Sequence, residues 1–303
     1  MYGKEIHMSD KKEILLPNLS VQQLEYLLAA ANHKTRAAAA QQLGVTPSAL
    51  TQGLTELERR VGLTLFERKG RSTVLRPQAK EVLEYARRVV AETKDLTYWA
   101  QAQREGTSGQ IRFGAIDAIA VHHRASEIRE FHESFPDVDL RLTVAPSGSL
   151  LKALLEGSLD LVACVEPEVV SEDLISEVFL EEPLLIYAPK EKVVKSSQNW
   201  GPWVSFPQGS HTRRIIASAL AALGVSYEVT AESNQPEVLA EMVRLGLGWT
   251  VLPPAQANTG IDPLIPIKKK PLTKRRLVLI RRSSAPLDPV MEILVNYLKK
   301  IEP

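Results

Sequence analysis

The chain has 303 residues, 44% of them hydrophobic and 24% charged, which is long enough for two or three packed domains of ordinary globular composition. Lys and Arg total 37 against 36 Asp and Glu, so a global basic bias is excluded and nucleic-acid contact would need a local cluster. The one cysteine, Cys164, excludes a disulfide within the chain and a cysteine-rich zinc site, and no apolar run has the length of a membrane span. We expect a cytoplasmic protein without cofactor or metal, with residues 1–17 as a loose tail.

Helical patterning begins near residue 20 and predicts three short helices. Ser20 and Gln23 have capping-box spacing at the start of the first helix. Thr35 is a suitable N-cap for the second, and Pro47 suits the first position of the third. The inward positions of the third helix are Leu50, Leu54, Leu57 and Val61.

The outward face of the third helix starts with small hydroxyls and an amide. Such side chains let a helix N-terminus approach the major groove of DNA and read base edges, and an arginine further along can meet phosphate. A basic hairpin follows and is predicted to be a wing that contacts phosphates. An ordinary solvated surface is the alternative for both. The pattern predicts DNA contacts from Ser48, Thr51, Gln52, Thr55, Arg59, Arg68, Lys69 and Arg71.

A long helix is predicted from Pro77 to about Arg104, and it carries a heptad seam. Its inward positions alternate by four and three residues: Val82, Ala86, Val89, Thr93, Leu96 and Ala100. The seam predicts dimerisation, which would present two heads to two half-sites a whole number of helical turns apart. Packing of this stripe on its own chain is the alternative.

Beyond a polar linker at 104–110, strand and helix patterns alternate and predict a parallel α/β sheet. Cys164 lies in a predicted buried strand and is expected to be an inert core thiol. The run 267–282 is the most basic part of the chain. Its charges are expected to protect a sheet edge, with a second nucleic-acid surface as the alternative.

The chain resembles the LysR-type transcriptional regulators of bacteria. The matching residues are TRAAAAQQLGVTPSALTQGLTELERRVGLTLFERKGR in the head, then GQIRFGA, FPDVDLRL, LEGSLDLVAC and VRLGLGWTVLPP. The resemblance implies an α + α/β fold: a winged helix-turn-helix at 18–76, a dimerising linker helix at 77–105, and an effector domain at 109–303 that resembles periplasmic binding proteins. In this domain lobe I would take 109–166 and 267–303, and lobe II 167–266.

The resemblance also implies partners and DNA contacts. The partners would be promoter DNA, a small-molecule effector and further copies of the chain, since members are commonly dimers or tetramers. Arg36 stands where members often have phenylalanine, and we expect either Arg36 or Arg76 to replace a customary hydroxyl contact to phosphate. The start of the recognition helix would comprise Thr46, Pro47, Ser48, Thr51 and Gln52, with Arg68 and Arg71 in the wing.

The effector is expected in the cleft between the lobes, where strand carboxyl ends and helix starts meet. Asp117 departs from the hydroxyl residues that are common there. It is expected to cap its helix or, alternatively, to face a cationic group of the effector. The histidines His122 and His123 are assigned no role. By resemblance the cleft includes Ile116, Asp117, Ala118, Ser147, Ser205, Phe206, Ser210, His211, Thr212 and Asn234. Plain caps or turn residues are the alternative for the serines and the asparagine.

The predicted function is a ligand-responsive DNA-binding regulator that is not an enzyme and acts by a population shift. Two alternatives keep the α/β domain but use the head only for localisation or assembly: an enzyme and a small-molecule-binding module. The sequence contains no HExxH, GxSxG or phosphate-binding glycine loop, so an enzyme would need residues that leave no motif.

Overall fold

The computed structural model describes residues 17–69, 72–105, 109–190, 199–258, 262–285 and 289–300. Contacts divide the chain into two compact units, with the division after Val90, inside a long helix. In the described part of the chain, no helix is both long and apolar enough to cross a membrane.

The first unit is a helix-turn-helix followed by a hairpin. Its elements are α1 (Val21–Asn32), α2 (Arg36–Gln42), α3 (Pro47–Val61), β1 (Phe66–Lys69), β2 (Ser72–Leu75) and a 3-10 turn (Pro77–Ala79). The predicted start signals are confirmed. Ser20 and Gln23 form both bonds of a capping box, Thr35 accepts from the backbone N–H of Ala38 at 3.2 Å, and Pro47 is the first residue of α3.

The core of the first unit lies between α1 and α3. Leu54 is 1% exposed, and the helices approach so closely that a Cβ on Gly53 would lie 2.5 Å from the ring of Tyr26. Glycine at this position therefore sets the crossing distance. The other buried leucines of the two helices are Leu24, Leu27, Leu50 and Leu57, which confirms the predicted inward face of α3.

The long helix α4 (Lys80–Glu105) is confirmed, but part of its predicted seam is not a dimer surface. Ala86 is fully buried in the core of the first unit, and Val82 and Val89 pack against the same core. The assignment of Ala86 to a dimer surface is therefore wrong, because a side chain enclosed by its own chain cannot reach a second copy. Leu96 is 64% exposed, and Tyr85 and Trp99 on the same helix are also exposed.

The second unit contains a six-stranded sheet and a smaller two-stranded one. Its strands are β3 (Gln110–Ala115), β4 (Asp139–Val144), β5 (Leu161–Val165), β6 (Leu174–Tyr187), β7 (Trp203–Ser205), β8 (Val229–Glu232), β9 (Thr250–Leu252) and β10 (Thr273–Arg282). Its helices are a π-helical turn (Ala118–His123), α5 (Ala125–Ser134), α6 (Ser147–Leu155), α7 (His211–Ala222), α8 (Pro236–Arg244), α9 (Pro254–Ala257) and α10 (Pro289–Lys299).

The large sheet has the order β4-β3-β5-β10-β6-β9 and is mixed. Strands β3, β4 and β5 are parallel as predicted, whereas β10 runs antiparallel to both β5 and β6. The strand-helix alternation therefore predicted the parallel part of the sheet, whereas the antiparallel strands were not predicted. The predicted role of the basic run in protecting a sheet edge is wrong, because β10 is an interior strand. Its residues Arg275 and Arg282 are 3% and 5% exposed, and Lys274 and Arg276 pair with acidic residues of neighbouring segments.

Two separate hydrophobic cores occupy the second unit. One lies around β3, β5, α6, α10 and the second half of β10, and the other around the end of β6, β7, β9, α7 and α8. Strand β6 contributes to both, since Phe179 and Leu180 pack against the first core and residues 184–187 lie in the second. We call the parts of the unit around these two cores the first and the second lobe.

Candidate functional site

The outward face of α3 is exposed over its whole length. Opposite the buried leucines, the residues predicted to contact DNA are all solvent-accessible: Thr46, Pro47, Ser48, Thr51, Gln52, Thr55 and Arg59. The structure thus gathers these residues on one polar helical surface, as the periodicity of the sequence requires.

The hydroxyls on this face are held by the helix backbone. Thr46 caps α3 by accepting from the N–H of Ala49 at 3.2 Å. Thr51 and Thr55 donate to backbone carbonyls one turn earlier, at 2.8 and 3.0 Å. Their protons are occupied, so the threonine oxygens face outward mainly as acceptors. The amide of Gln52 can supply donors on the same surface, and the hydroxyl of Ser48 shares a hydrogen bond with Thr46 Oγ1 at 3.1 Å.

An acidic residue stands among the cationic ones on α3. Glu56 accepts from Arg59 Nε and Nη2 at 2.8 and 2.7 Å, and from Arg60 Nε at 2.6 Å. These hydrogen bonds lower the pKa of Glu56 to about 2. Arg59 nevertheless remains 70% exposed at its side chain, so it can exchange this carboxylate for a phosphate.

The hairpin is fixed to α3 by hydrogen bonds to a half-buried carboxylate. Glu58 Oε1 accepts from the backbone N–H groups of Leu65 and Phe66 at 2.7 and 3.3 Å. Arg68 and Lys69 lie exposed on β1. Arg71 lies outside the described residues. The predicted wing therefore has a defined base beside α3.

Arg36 is less accessible than its predicted role suggests. Its guanidinium lies 5.1 Å from the centre of the Phe66 ring, and its Nη1 is buried without a hydrogen-bond partner. Arg36 is the first residue of α2, and its side chain packs on Phe66 of the hairpin. A phosphate contact from Arg36 would use the rest of its donor groups.

In the second unit, a polar cluster joins the two lobes. We call it the interlobe cluster, and it consists of Asp117, His123, Glu182, Thr212, Gln256 and Arg275. Asp117 Oδ2 accepts from Gln256 Nε2 at 3.1 Å. Arg275 donates to Glu182 at 2.6 Å, to Thr212 at 2.9 Å and to Gln256 Oε1 at 3.5 Å. All three nitrogens of the Arg275 guanidinium therefore donate hydrogen bonds to other side chains of the protein.

The pKa values of the two carboxylates in the interlobe cluster shift in opposite directions. Burial acts to raise the pKa of Glu182, but the charge of Arg275 and the hydrogen bond with His123 at 2.6 Å hold that pKa below its ordinary value. Burial raises the pKa of Asp117, and the backbone N–H of Ala118 and the charge of Arg275 offset this only in part. The hydrogen-bond partner of Asp117 across the lobes is a neutral amide, that of Gln256.

The expectation that Asp117 caps its helix is wrong. Its side chain makes no N-cap hydrogen bond, although the adjacent backbone N–H of Ala118 lies against its carboxylate. Instead it points across to α9 of the other lobe, to Gln256. The physical reason is that Asp117 already has helical backbone angles, with φ −51° and ψ −44°, whereas an N-cap needs extended ones.

The other residues predicted for the cleft divide among different roles. Ser147 accepts from the N–H of Val165 at 3.3 Å, Ser205 bonds the hydroxyl of Tyr227, and Ser210 caps α7. Asn234 is exposed. Three further residues are buried in the hydrophobic cores: Ile116, Ala118 and Phe206. Only Asp117 and Thr212 of the predicted set belong to the interlobe cluster.

His211 lies beside a groove between the lobes that is separate from the interlobe cluster. It lines a groove of about 640 Å³ together with Glu166, Ile215 and Arg276, and its Nδ1 lies 3.3 Å from the carbonyl oxygen of Val165. Thr212 follows it in α7 but contacts Arg275 instead. Consecutive helical residues point about 100° apart, so these two face different surfaces.

Cys164 is fully buried in β5, and burial raises the pKa of its thiol to about 12. It therefore has almost no thiolate at neutral pH. Among the described residues, no group of three or more His, Cys, Asp or Glu is placed to hold a metal ion.

Sequence reasoning missed four members of the interlobe cluster. Arg275 and Glu182 lie on strands whose charges suggested exposure, Gln256 lies in a four-residue helix, and His123 was assigned no role. One available signal was the run of four apolar residues, 277–280, that follows Arg275 and Arg276 in the same strand, since a charge beside such a buried segment can need a buried partner.

The sequences of both units match known protein families. The family described as bacterial regulatory helix-turn-helix protein, lysR family, matches residues 21–80, and the LysR substrate binding domain matches residues 104–301. The HTH-type transcriptional regulator YfeR of Shigella flexneri is 26% identical over 292 residues, covering 93% of this chain and 94% of that protein.

Solved structures show the same fold. A full-length cysteine-to-aspartate variant of OxyR from Pseudomonas aeruginosa aligns with a TM-score of 0.62 at 22% identity, covering 93% of this chain and 95% of the other. Full-length CbnR in complex with its target DNA aligns with a TM-score of 0.58 at 18% identity, covering 93% and 99%.

A winged helix-turn-helix joined through one long helix to a two-core α/β domain defines a ligand-responsive transcription regulator. The chain belongs to the LysR family, with a helix-turn-helix DNA-binding domain and an effector-binding domain. Its partners are accordingly DNA and a small-molecule effector.

Proposed function

We propose that the exposed face of α3 reads promoter DNA in the major groove while Arg68, Lys69 and Arg71 of the wing hold phosphates. The observation that carries this proposal is the contrast between the two sides of α3, with leucines buried and short polar groups exposed. Hydroxyls and an amide at a helix N-terminus suit base edges, and cations beside them supply salt-dependent affinity.

A gel-shift titration with the DNA upstream of the chain's own gene tests this proposal. Ser48→Glu together with Arg71→Glu should abolish binding, since both place a negative charge against DNA. Ser218→Glu is a matched control, because Ser218 is an exposed serine on α7 of the second unit. Unchanged binding by the double variant would refute the proposed interface.

We propose that the effector binds between the lobes and carries a cationic or amino group. Asp117 faces the opposite lobe with a neutral amide as its partner, and the nearby guanidinium of Arg275 is already bonded to Glu182, Thr212 and Gln256. An acidic effector would meet a carboxylate there without a free guanidinium, whereas an ammonium group would pair with it. Closure of the lobes on such a group would shift the population of DNA-binding states.

Thermal stabilisation by a library of amino compounds, organic acids and aromatic acids tests the effector class. A ligand at 100 times its dissociation constant should stabilise the folded protein by about 2.7 kcal/mol. Basic amino compounds should raise the melting temperature, and Asp117→Asn should remove that response. Stabilisation by acids alone, unaffected by Asp117→Asn, would contradict the proposal.

We propose that dimers form through the exposed side of α4. Leu96 belongs to the predicted seam, while Tyr85 and Trp99 extend the exposed apolar surface. Thr93 and Ala100 lie half-buried on the same helix. Leu96→Glu with Trp99→Glu should give monomers in analytical ultracentrifugation, whereas Leu245→Glu, at an exposed position after α8, should not.

We further propose that the domain boundaries fall at 18–76, 77–105 and 109–303, and that the protein acts in the cytoplasm, where its DNA partner lies. The effector domain serves binding and not turnover. Incubation of the protein with any ligand that stabilises it, followed by mass spectrometry of the ligand, tests this. Conversion of the ligand would contradict it.

A further inference from the structure

The second half of α4 lies against the first lobe along one helical face. Ala91, Lys94, Asp95 and Tyr98 have the spacing of a single stripe. A Cβ on Gly157 would lie 2.7 Å from the Cα of Ala91, so the helix backbone and the turn after α6 are in direct contact. Lys94 Nζ donates to the carbonyl of Glu156 at 3.1 Å.

At the centre of this stripe, the carboxylate of Asp95 accepts hydrogen bonds from two buried arginines. Arg282 Nη2 donates to both its carboxylate oxygens at 2.8 and 2.9 Å, and Arg112 Nη2 lies 3.4 Å from Oδ1. The side chains of Asp95, Arg282 and Arg112 are 11%, 5% and 9% exposed. We call this arrangement the helix joint.

Both arginines are built into the lobe independently of the helix. Arg282 Nη1 donates to the carbonyls of Leu154 and Leu159 at 2.6 and 2.7 Å. Arg112 bonds Asp160 at 3.0 Å and the carbonyl of Gly157 at 2.7 Å. The lobe therefore presents two oriented guanidinium groups, and Asp95 is the group of α4 on which they converge.

Arg112 makes a second contact with the helix. Its Cζ lies 4.1 Å from the centre of the Tyr98 ring, one turn after Asp95. Cation–π stacking and the carboxylate thus hold one guanidinium from two adjacent positions of α4. A helix attached in this way cannot turn or slide without breaking buried charged contacts.

We propose that Asp95 is a positioning residue that passes movement of the effector domain to the DNA-binding head. The same helix contributes Leu83, Ala86 and Val90 to the core of the head. A change in the first lobe therefore reaches the head through α4 as long as Asp95 is held. This inference rests on the proposed function, because it concerns how the heads are spaced on DNA.

The test uses the full chain and duplexes from its own upstream region. Insertion of about 5 bp between the half-sites puts them on opposite sides of the helix, and about 10 bp restores their alignment. The wild-type protein should bind the half-turn insertion at least about tenfold more weakly, a difference of about 1.4 kcal/mol. Asp95→Asn should reduce that discrimination to about twofold while leaving binding to a single half-site unchanged.

Hydrogen exchange supplies a second readout, and Glu92→Gln supplies the control. Glu92 is exposed one turn earlier on α4, so its variant makes the same change of charge outside the joint. Exchange of amides in 91–99 should rise at least about tenfold in Asp95→Asn but not in Glu92→Gln. If Asp95→Asn fails to fold, Asp95→Asn with Arg282→Gln removes both charges and should show the same relaxed spacing.

The outcomes separate this inference from the proposed function. If the wild-type protein does not bind the duplexes, the proposed function fails. If it binds with a spacing preference that Asp95→Asn or the double variant retains, the inference is overturned, even when exchange in α4 has risen.

Discussion

Replacement of Gly157 by alanine tests the contact between α4 and the first lobe. Gly157 has φ +68°, and its added Cβ would lie 2.7 and 2.8 Å from Cα and Cβ of Ala91. Gly224 has the same φ of +68° but no heavy atom within 4 Å of its added Cβ. The two substitutions therefore share the backbone strain and differ in the collision.

The magnitudes follow from these two terms. A left-handed alanine costs about 1–2 kcal/mol, partly offset by about 0.4–1 kcal/mol from the stiffer unfolded chain, so Gly224→Ala should destabilise by about 1 kcal/mol. Gly157→Ala adds overpacking of about 1–3 kcal/mol, because a helix backbone cannot yield as a flexible side chain can. Its total should be about 2–4 kcal/mol.

Urea unfolding followed by tryptophan fluorescence measures this difference in the relevant unit. The four tryptophans all follow Val90 in the chain, so the signal reports the second unit alone: Trp99, Trp200, Trp203 and Trp249. Equal free energies of unfolding for the two variants would refute the close packing of α4 on the turn after α6.

Three further predictions concern charge and reactivity. Glu56→Gln should free Arg59 and Arg60 for phosphate, so that the slope of log affinity for random DNA against log salt steepens by about 1; an unchanged slope would contradict this. Burial raises the pKa of Asp117, so the folded protein retains a proton more tightly than the unfolded chain, and the charged form lowers stability at neutral pH. Asp117→Asn should therefore raise the melting temperature at pH 7 and have little effect below about pH 4, and a lower melting temperature at pH 7 would count against the burial of this charge. Burial raises the pKa of Cys164 to about 12, so iodoacetamide and peroxide should modify it only after unfolding in urea. Rapid modification of the folded protein, detected by mass spectrometry, would show that the thiol is accessible.

The sequence was sufficient for the head because its signals are local. Caps at Ser20 and Thr35 and the repeat of leucines in α3 depend on residues within one or two turns, and the structure confirms each of them. The outward face of α3 follows directly from the inward one. The assignment of Ala86 to a dimer seam failed because a heptad repeat does not distinguish a second copy from the chain's own core.

The interlobe cluster could not be read from the sequence because its partners are distant in the chain. Asp117 and Gln256 are separated by 139 positions, and in the helix joint Asp95 and Arg282 are separated by 187. Strand order has no local signature, so the interior position of β10 was missed and its charges were assigned to an edge.

The most direct measurement of the central claim places a cleavage reagent on the recognition helix. Gln52→Cys in a Cys164→Ser background, labelled with an iron chelate, should cut operator DNA at two major-groove positions a whole number of turns of about 10 bp apart. The same label at Ser218→Cys, on α7 of the second unit, is the control and should leave those positions uncut. Absence of cleavage from position 52 on a bound operator, or equal cleavage from position 218, would contradict the assignment of α3 as the DNA-reading surface.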